Sequence, residues 1–211
     1  MPEKIFLLRH GQSVSNLDHT FGGWSDTPLT DLGIAQAKAL KKRLGREKIE
    51  VAYCSDLVRT KQTIEHADLG CKVVFSKAIR ERSYGDLEGS SWIDMKDPEK
   101  YHVDPYSRPP SGETPSEVQN RVVKYFENTI VKDKHEKVLV IGHHGSLILL
   151  TMHLLGMPLK NWRRLALGNA GLSILSWEEG EWRVRLWNSL STLGLKTSGA
   201  LFGKSRHAIQ D

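Results

Sequence analysis

Lys4-Ile5-Phe6-Leu7-Leu8-Arg9-His10-Gly11-Gln12-Ser13 is the stretch on which the fold turns. Four apolar residues in unbroken succession stop abruptly at an arginine, a histidine and a glycine. A run this short and this apolar reads as a strand covered on both faces, the kind found inside a parallel sheet. Val138-Leu139-Val140-Ile141 has the same character and runs into Gly142-His143-His144-Gly145-Ser146. Val51-Ala52-Tyr53-Cys54, which runs into Ser55-Asp56-Leu57-Val58-Arg59-Thr60, and Val73-Val74-Phe75 are shorter candidates for further strands. Near the end, Leu172-Ser173-Ile174-Leu175-Ser176-Trp177 and Trp182-Arg183-Val184-Arg185-Leu186-Trp187 flank Glu178-Glu179-Gly180-Glu181, the pattern of a hairpin.

Helical patterns separate these runs. Thr30 can cap a helix over residues 31–44 with Ile34, Ala37, Leu40 and Leu44 on one face. Thr114-Pro115-Ser116-Glu117 combines a cap, a proline at the first helical position and a glutamate three residues after the cap. Val118, Val122, Phe126 and Ile130 then recur every four residues. Residues 146–155 are apolar nearly all round, so that helix is expected to be buried, with Gly156 ending it. Strands alternating with helices specify an α/β fold, three layers α/β/α around a largely parallel central sheet. Residues 89–112 break the alternation. They are polar and aromatic, carry Pro98, Pro105, Pro109 and Pro110, and read as an excursion over the sheet with a short helix at residues 92–95. One domain is expected over residues 1–195, followed by a loosely ordered tail at 196–211.

Composition narrows the class. The chain has 211 residues, 39% of them hydrophobic and 26% charged, enough for one full core. The formal charge of +5 favours anionic partners without choosing among them. Cys54 and Cys71 form no C-x-x-C pair and are expected to be reduced, buried thiols. The apolar run from Ile5 to Leu8 is too short for a signal-peptide core. The stretch 147–155 is interrupted by Thr151 and His153 and is too short for a span. A cytoplasmic protein acting on small molecules, with no membrane or nucleic-acid partner and as a monomer or homodimer, is the expectation. The six tryptophans are read mostly as packing residues, three of them in the hairpin, rather than as stacking platforms.

Parallel strands bring their carboxyl ends to one edge, where ligands of open α/β sheets bind. Here that edge would gather Arg9, His10, Arg59, His143 and His144. Two arginines and two or three histidines at helix starts suit a phosphoryl dianion, because phosphoryl transfer asks mainly for positioning and neutralisation of charge. A histidine with one ring nitrogen free can be the nucleophile, and neighbouring positive charge keeps it neutral. No carboxylate cluster or His-x-His spacing accompanies the histidines, so no metal and no cofactor is expected.

Leu8-Arg9-His10-Gly11-Gln12-Ser13 with Asn16 resembles the signature of the histidine phosphatase superfamily, in the branch that includes cofactor-dependent phosphoglycerate mutases. The resemblance continues in order through residues 23–33, 55–63 and 80–89 and through His144-Gly145, and covers roughly residues 3–193. It implies the phosphoglycerate mutase-like fold. It also implies roles: His10 as the nucleophile, Arg9, Arg59 and His144 as the pocket around the phosphoryl oxygens, Glu81 as general acid. Asn16, Gly23 and Gly145 match positions of the phosphate or substrate pocket. Glu81 is preferred to Glu88 because it follows arginine as in the family. His144 is preferred to His143, read as a packing residue, because the family's histidine precedes glycine. Arg82 and Tyr84 either shape substrate preference or anchor the loop.

Three activities fit this resemblance. A phosphomonoesterase acting on small phosphorylated metabolites is favoured by the short excursion, whose one arginine is Arg108, and by Pro110-Ser111-Gly112-Glu113-Thr114 and Asn169-Ala170-Gly171. A phosphoglycerate mutase is the rival that Glu81-Arg82-Ser83-Tyr84-Gly85 resembles. A catalytically silent module that binds phosphorylated ligands is the third.

Overall fold

The computed structural model describes residues 1–95, 101 and 104–190. The tail expected at 196–211 and residues 96–100 and 102–103 of the excursion lie outside the described residues. Six strands form one sheet: β1 (Lys4–Arg9), β2 (Val51–Ser55), β3 (Lys72–Ser76), β4 (Lys137–Gly142), β5 (Leu172–Glu178) and β6 (Glu181–Ser189), in the order β3-β2-β4-β1-β5-β6. The first four in that order pair in parallel; β5 and β6 add to the β1 side antiparallel. The hairpin joining the last two turns through Glu179 and Gly180, both at positive φ (53° and 85°), as a two-residue turn between twisted strands requires.

The described residues form five α-helices, α1 (Val14–Leu17), α2 (Asp31–Leu44), α3 (Val58–Ala67), α4 (Pro115–Tyr125) and α5 (His144–Leu154), of which α2 to α5 pack on the sheet. Successive residues of a strand face opposite ways, and the core divides accordingly. Ile5 and Leu7 of β1 join Val118 and Val122 of α4 and Leu147 to Leu150 of α5. Phe6 and Leu8 join Leu40 and Leu44 of α2 and Ile64 and Ala67 of α3. All four apolar residues of β1 have no exposed surface. This is the three-layer arrangement expected from the run's continuous hydrophobicity.

Local chemistry sets the helix starts. The Thr30 side chain accepts from Gly33 N–H, and Thr114 with Glu117 forms a reciprocal cap at the head of α4. The helix expected to run on through Ile130 changes its winding. Residues Phe126–Ile130 form a π turn. A four-residue step in an α-helix overshoots one turn by roughly 40°, so the 118-122-126-130 series drifts off the core. The wider turn rotates Ile130 back, and all four side chains are buried.

Two expectations are corrected. Residues 92–95 form no helix. Their backbone is committed to the segment before them: Thr20 bridges Ser91, Trp92 N–H donates to His19 O, and the Trp92 ring meets His19 edge-on at 5.2 Å. Cys71 is half-buried rather than buried, because it precedes the edge strand β3; Cys54 is buried, and both are free thiols.

The loop after β1 is pressed against the first turn of α2. A Cβ on Gly33 would lie 2.1 Å from Gln12 O, and one on Gly11 would lie 2.5 Å from Gly33 O. Gly33→Ala is therefore expected to lower the urea unfolding midpoint. Overpacking against backbone costs about 1–3 kcal/mol or more, against the roughly 1 kcal/mol that alanine gains over glycine in a helix. A midpoint equal to or above wild type would contradict this close approach.

Candidate active site

The carboxyl ends of β2, β4 and β1 are neighbours, with Arg9 level with Gly142 and Cys54 level with Ile141. His10 follows β1 directly. Its N–H donates to Gly142 O and its carbonyl accepts from Ala170 N–H, so the backbone is held on both sides. The ring is 3% exposed. Nδ1 lies 2.6 Å from Gly11 O, and because a carbonyl only accepts, the proton sits on Nδ1. Nε2 is left with a lone pair. Burial lowers the His10 pKa well below its ordinary value, and the positive charges of Arg59, Arg9 and His144 push it the same way.

The arginines around it are oriented by neutral partners. Arg59, at the start of α3 and 2% exposed, donates to Ser25 O (2.8 Å) and Gly23 O (2.7 Å). Arg9 donates to Leu167 O (2.5 Å), and its Nε is buried without a partner. Burial lowers both to about 10, partly offset by Glu81. Both remain cations at neutral pH. Carbonyls fix their direction without cancelling their charge, in contrast to Arg80, paired bidentately with Asp56, and Arg121, paired with Glu113. His144, the first residue of α5, places Nδ1 3.1 Å from the same Leu167 O.

Glu81 reaches this edge from the turn after β3. Its Oε2 accepts from Gly145 N–H (3.1 Å), and Oε1 accepts from Arg82 N–H (2.9 Å). A Cβ at Gly145 would come within 2.4 Å of that carboxylate, so glycine there is what lets Glu81 approach. Glu88, the competing carboxylate, clasps the Gly23 loop. It accepts from Trp24 N–H, Ser25 Oγ, Ser83 Oγ and Tyr84 N–H.

The structure thus brings His10, Arg9, Arg59, His144, Glu81 and Gly145 together at one sheet edge. Gly23 stands at φ 42° and offers its carbonyl to Arg59. Asn16 commits its side-chain oxygen to Ser13 and to Asn169 Nδ2 (2.8 Å). Arg82 turns inward. It is 2% exposed and donates to the carbonyls of Glu113, Tyr101 and Ser107, so it anchors the excursion. Tyr84 lies against Phe21, with centroids 4.5 Å apart, and beneath the Arg82 guanidinium.

Two supporting residues, Asn169 and Arg121, escaped the sequence reading of the site, whereas Trp24 belongs to a loop that the resemblance matched. Asn169 lies 3.4 Å from the carbonyls of His10 and Gly11. Arg121 of α4 donates to the carbonyls of Ala78, Arg80 and Glu81, and Trp24 Nε1 donates to Glu81 O; together they fix the strand of chain that carries the carboxylate. Spacing gives no hint of Arg121, forty residues from its partner. Asn169 had a signal, since Asn169-Ala170-Gly171 is among the segments that resemble the phosphatase branch. Among the described residues no group of three or more His, Cys, Asp or Glu is arranged to hold a metal, and no helix is long and apolar enough to cross a membrane.

Residues 5–190 match the family model of the histidine phosphatase superfamily (branch 1). A 2,3-bisphosphoglycerate-dependent phosphoglycerate mutase of Brucella melitensis is 37% identical over 172 residues, covering 74% of this chain and 84% of that protein. The structure of a mycobacterial glucosyl-3-phosphoglycerate phosphatase superposes with a TM-score of 0.80 at 28% identity, over 89% of this chain and 99% of that one. Bacillus stearothermophilus YhfR superposes at 0.83 with 26% identity, over 90% and 98%.

The pH behaviour of His10 and His143 follows from their burial. Both have pKa values well below 6.5 in the fold and recover the ordinary value on unfolding. The unfolded chain therefore binds more protons, and stability held above pH 6.5 is lost as the pH falls towards the folded values. Urea denaturation is expected to show unfolding free energy declining below about pH 6.5, while the ¹⁵N shifts of His10 at pH 6 remain those of a neutral, Nδ1-protonated ring. A protonated His10 at pH 6 would contradict the assignment.

Proposed function

The chain belongs to branch 1 of the histidine phosphatase superfamily, and we propose that within it the protein is a phosphomonoesterase that hydrolyses small phosphorylated metabolites through a phosphohistidine on His10. The observation that carries this is the state of the His10 ring: Nδ1 committed to Gly11 O, Nε2 unprotonated, between two arginines whose partners are carbonyls.

The reaction has two steps. His10 Nε2 attacks phosphorus as the ester oxygen leaves, and Arg9, Arg59 and His144 take up charge on the equatorial oxygens. Glu81, protonated, gives its proton to the leaving oxygen. Its carboxylate then accepts a proton from the water that attacks the phosphohistidine, which releases phosphate and restores both groups. Asn16, Gly23 and Gly145 line the phosphate pocket. Tyr84 packs beneath Arg82, which holds the excursion in place.

Hydrolysis is favoured over mutase chemistry by the way Arg108 of the excursion and Arg82 before it are spent. A mutase must hold a sugar-acid carboxylate or a second phosphate as well as the transferred group. Arg108, the one arginine of residues 89–112, donates to Gly112 O and pairs with Glu117. Arg82 is consumed by three backbone carbonyls. Likeness to the Brucella mutase supports the alternative, and a direct assay separates the two. The purified protein is expected to release phosphate from p-nitrophenyl phosphate in the presence of excess chelator. With 3-phosphoglycerate and 2,3-bisphosphoglycerate it should give net phosphate rather than rapid isomerisation. His10→Ala is expected to reduce turnover by at least about 10³-fold while keeping the far-UV circular dichroism of the wild type. Rapid isomerisation with little free phosphate would reassign the protein as a mutase. No turnover at any pH would leave a binding module.

A further inference from the structure

His143 takes no part in the two steps above, yet it occupies the most enclosed position at the site. It caps α5 between β4 and the pocket and has no exposed surface. Nε2 lies 2.8 Å from Ser55 Oγ at the end of β2. The other side of the ring meets His10, with centroids 5.1 Å apart and planes inclined at 59°. Strands β2, β4 and β1 are adjacent in the sheet. Ser55, His143 and His10 therefore form a line of side chains across three consecutive strand ends, with His143 as the middle member.

We propose that His143 is a positioning residue: a strut, pinned by Ser55, that sets the tilt of the His10 ring so that Nε2 faces the phosphorus. This rests on His10 being the nucleophile. The bond from His10 Nδ1 to Gly11 O holds one atom of the ring but leaves the ring free to rock about that contact. A wall on its face removes that freedom. A phenyl ring in place of His143 would supply the wall without a fixed orientation; the bond to Ser55 supplies the orientation. Ser55 also ties the strut to the Arg59 helix, since its carbonyl accepts from Thr60 Oγ1 and its Oγ lies 3.5 Å from Leu57 N. The nucleophile and one of the guanidinium groups it must meet are thus set from the same point. His143 is well suited to this as a neutral body: burial lowers its pKa far below the ordinary value, with Arg59, His10 and Arg9 acting in the same direction.

Rapid-mixing single turnover with p-nitrophenyl phosphate tests the strut, because release of nitrophenol reports attack by His10. In His143→Ala the rate of that step is expected to fall by about 10- to 100-fold, as for a displaced reacting group. Inhibition by tungstate, which senses the cationic pocket, should stay as in wild type. His143→Gln keeps a polar partner for Ser55 and His143→Phe keeps the wall, so each should recover part of the loss; Ser55→Ala should lose part of the rate with the ring still present. The ¹⁵N resonances of His10 should stay those of the Nδ1-protonated ring set by Gly11 O but broaden in His143→Ala, as the ring samples several tilts. A variant with wild-type nitrophenol release and an unchanged His10 spectrum would overturn the proposal. So would equal losses in turnover and tungstate binding, which mark general damage. If His143→Ala does not fold, the Phe and Ser55 variants decide by the same two readouts. Should wild type form no phosphoenzyme, it is the nucleophile assignment that fails; the spectra, which need no turnover, still decide the strut.

Discussion

Positive charge that is aimed but not neutralised is the constraint on which the site depends. An arginine drawn out of solvent is often matched to a carboxylate, as half-buried Arg80 is with Asp56 and half-buried Arg121 with Glu113. Arg59 and Arg9 instead donate to carbonyls of residues 23, 25 and 167, and Arg9 Nε is left buried without a partner. A dipole fixes the direction of a guanidinium while leaving its charge to act on whatever enters, and a buried unmatched cation is costly until an anion arrives. Burial keeps His10 unprotonated and the same charge acts in that direction, so one arrangement both attracts a phosphoryl group and helps prepare the atom that attacks it.

The fold serves this constraint by placing four chain segments at one edge. β1 delivers Arg9 and His10, β2 leads into Arg59, and β4 leads into His144 and Gly145. The turn after β3 swings Glu81 over the top. Glycines are used where backbones must touch: Gly33 against Gln12 behind the nucleophile loop, and Gly145 under Glu81. Residues remote in sequence then hold the assembly still. Arg82 gathers the carbonyls of Tyr101, Ser107 and Glu113, Arg121 gathers those of the Glu81 segment, and Leu167 O meets both Arg9 and His144.

What could be read from the linear sequence was whatever local pattern encodes. The continuous run from Ile5 to Leu8 announced a doubly covered strand, Thr30 and Thr114 announced helix starts, and Glu179-Gly180 announced a turn. The charged residues at three strand ends followed once those strands were taken as parallel neighbours. Three-dimensional accounting remained hidden. The π turn at residues 126–130 settles a conflict between a four-residue period and the helical pitch that becomes visible only when Ile130 is seen buried. Residues 92–95 favour a short helix on their own, yet hydrogen bonds from residues 19–21 draw them out. Arg82 looked equally suited to substrate or to loop, because spacing does not reveal that three carbonyls converge on it. His143 and His144 are adjacent in sequence, but one caps α5 deep against Ser55 while the other opens it.

The most direct test of a neutral imidazole taking phosphorus inside a cationic cage is a crystal structure of the protein trapped with vanadate. The expected result is a trigonal bipyramid with vanadium bonded to Nε2 of His10, its equatorial oxygens held by Arg9, Arg59 and His144, and Glu81 beside the apical oxygen opposite the ring. Vanadium bound elsewhere, or a His10 ring turned away from the two guanidinium groups, would contradict it.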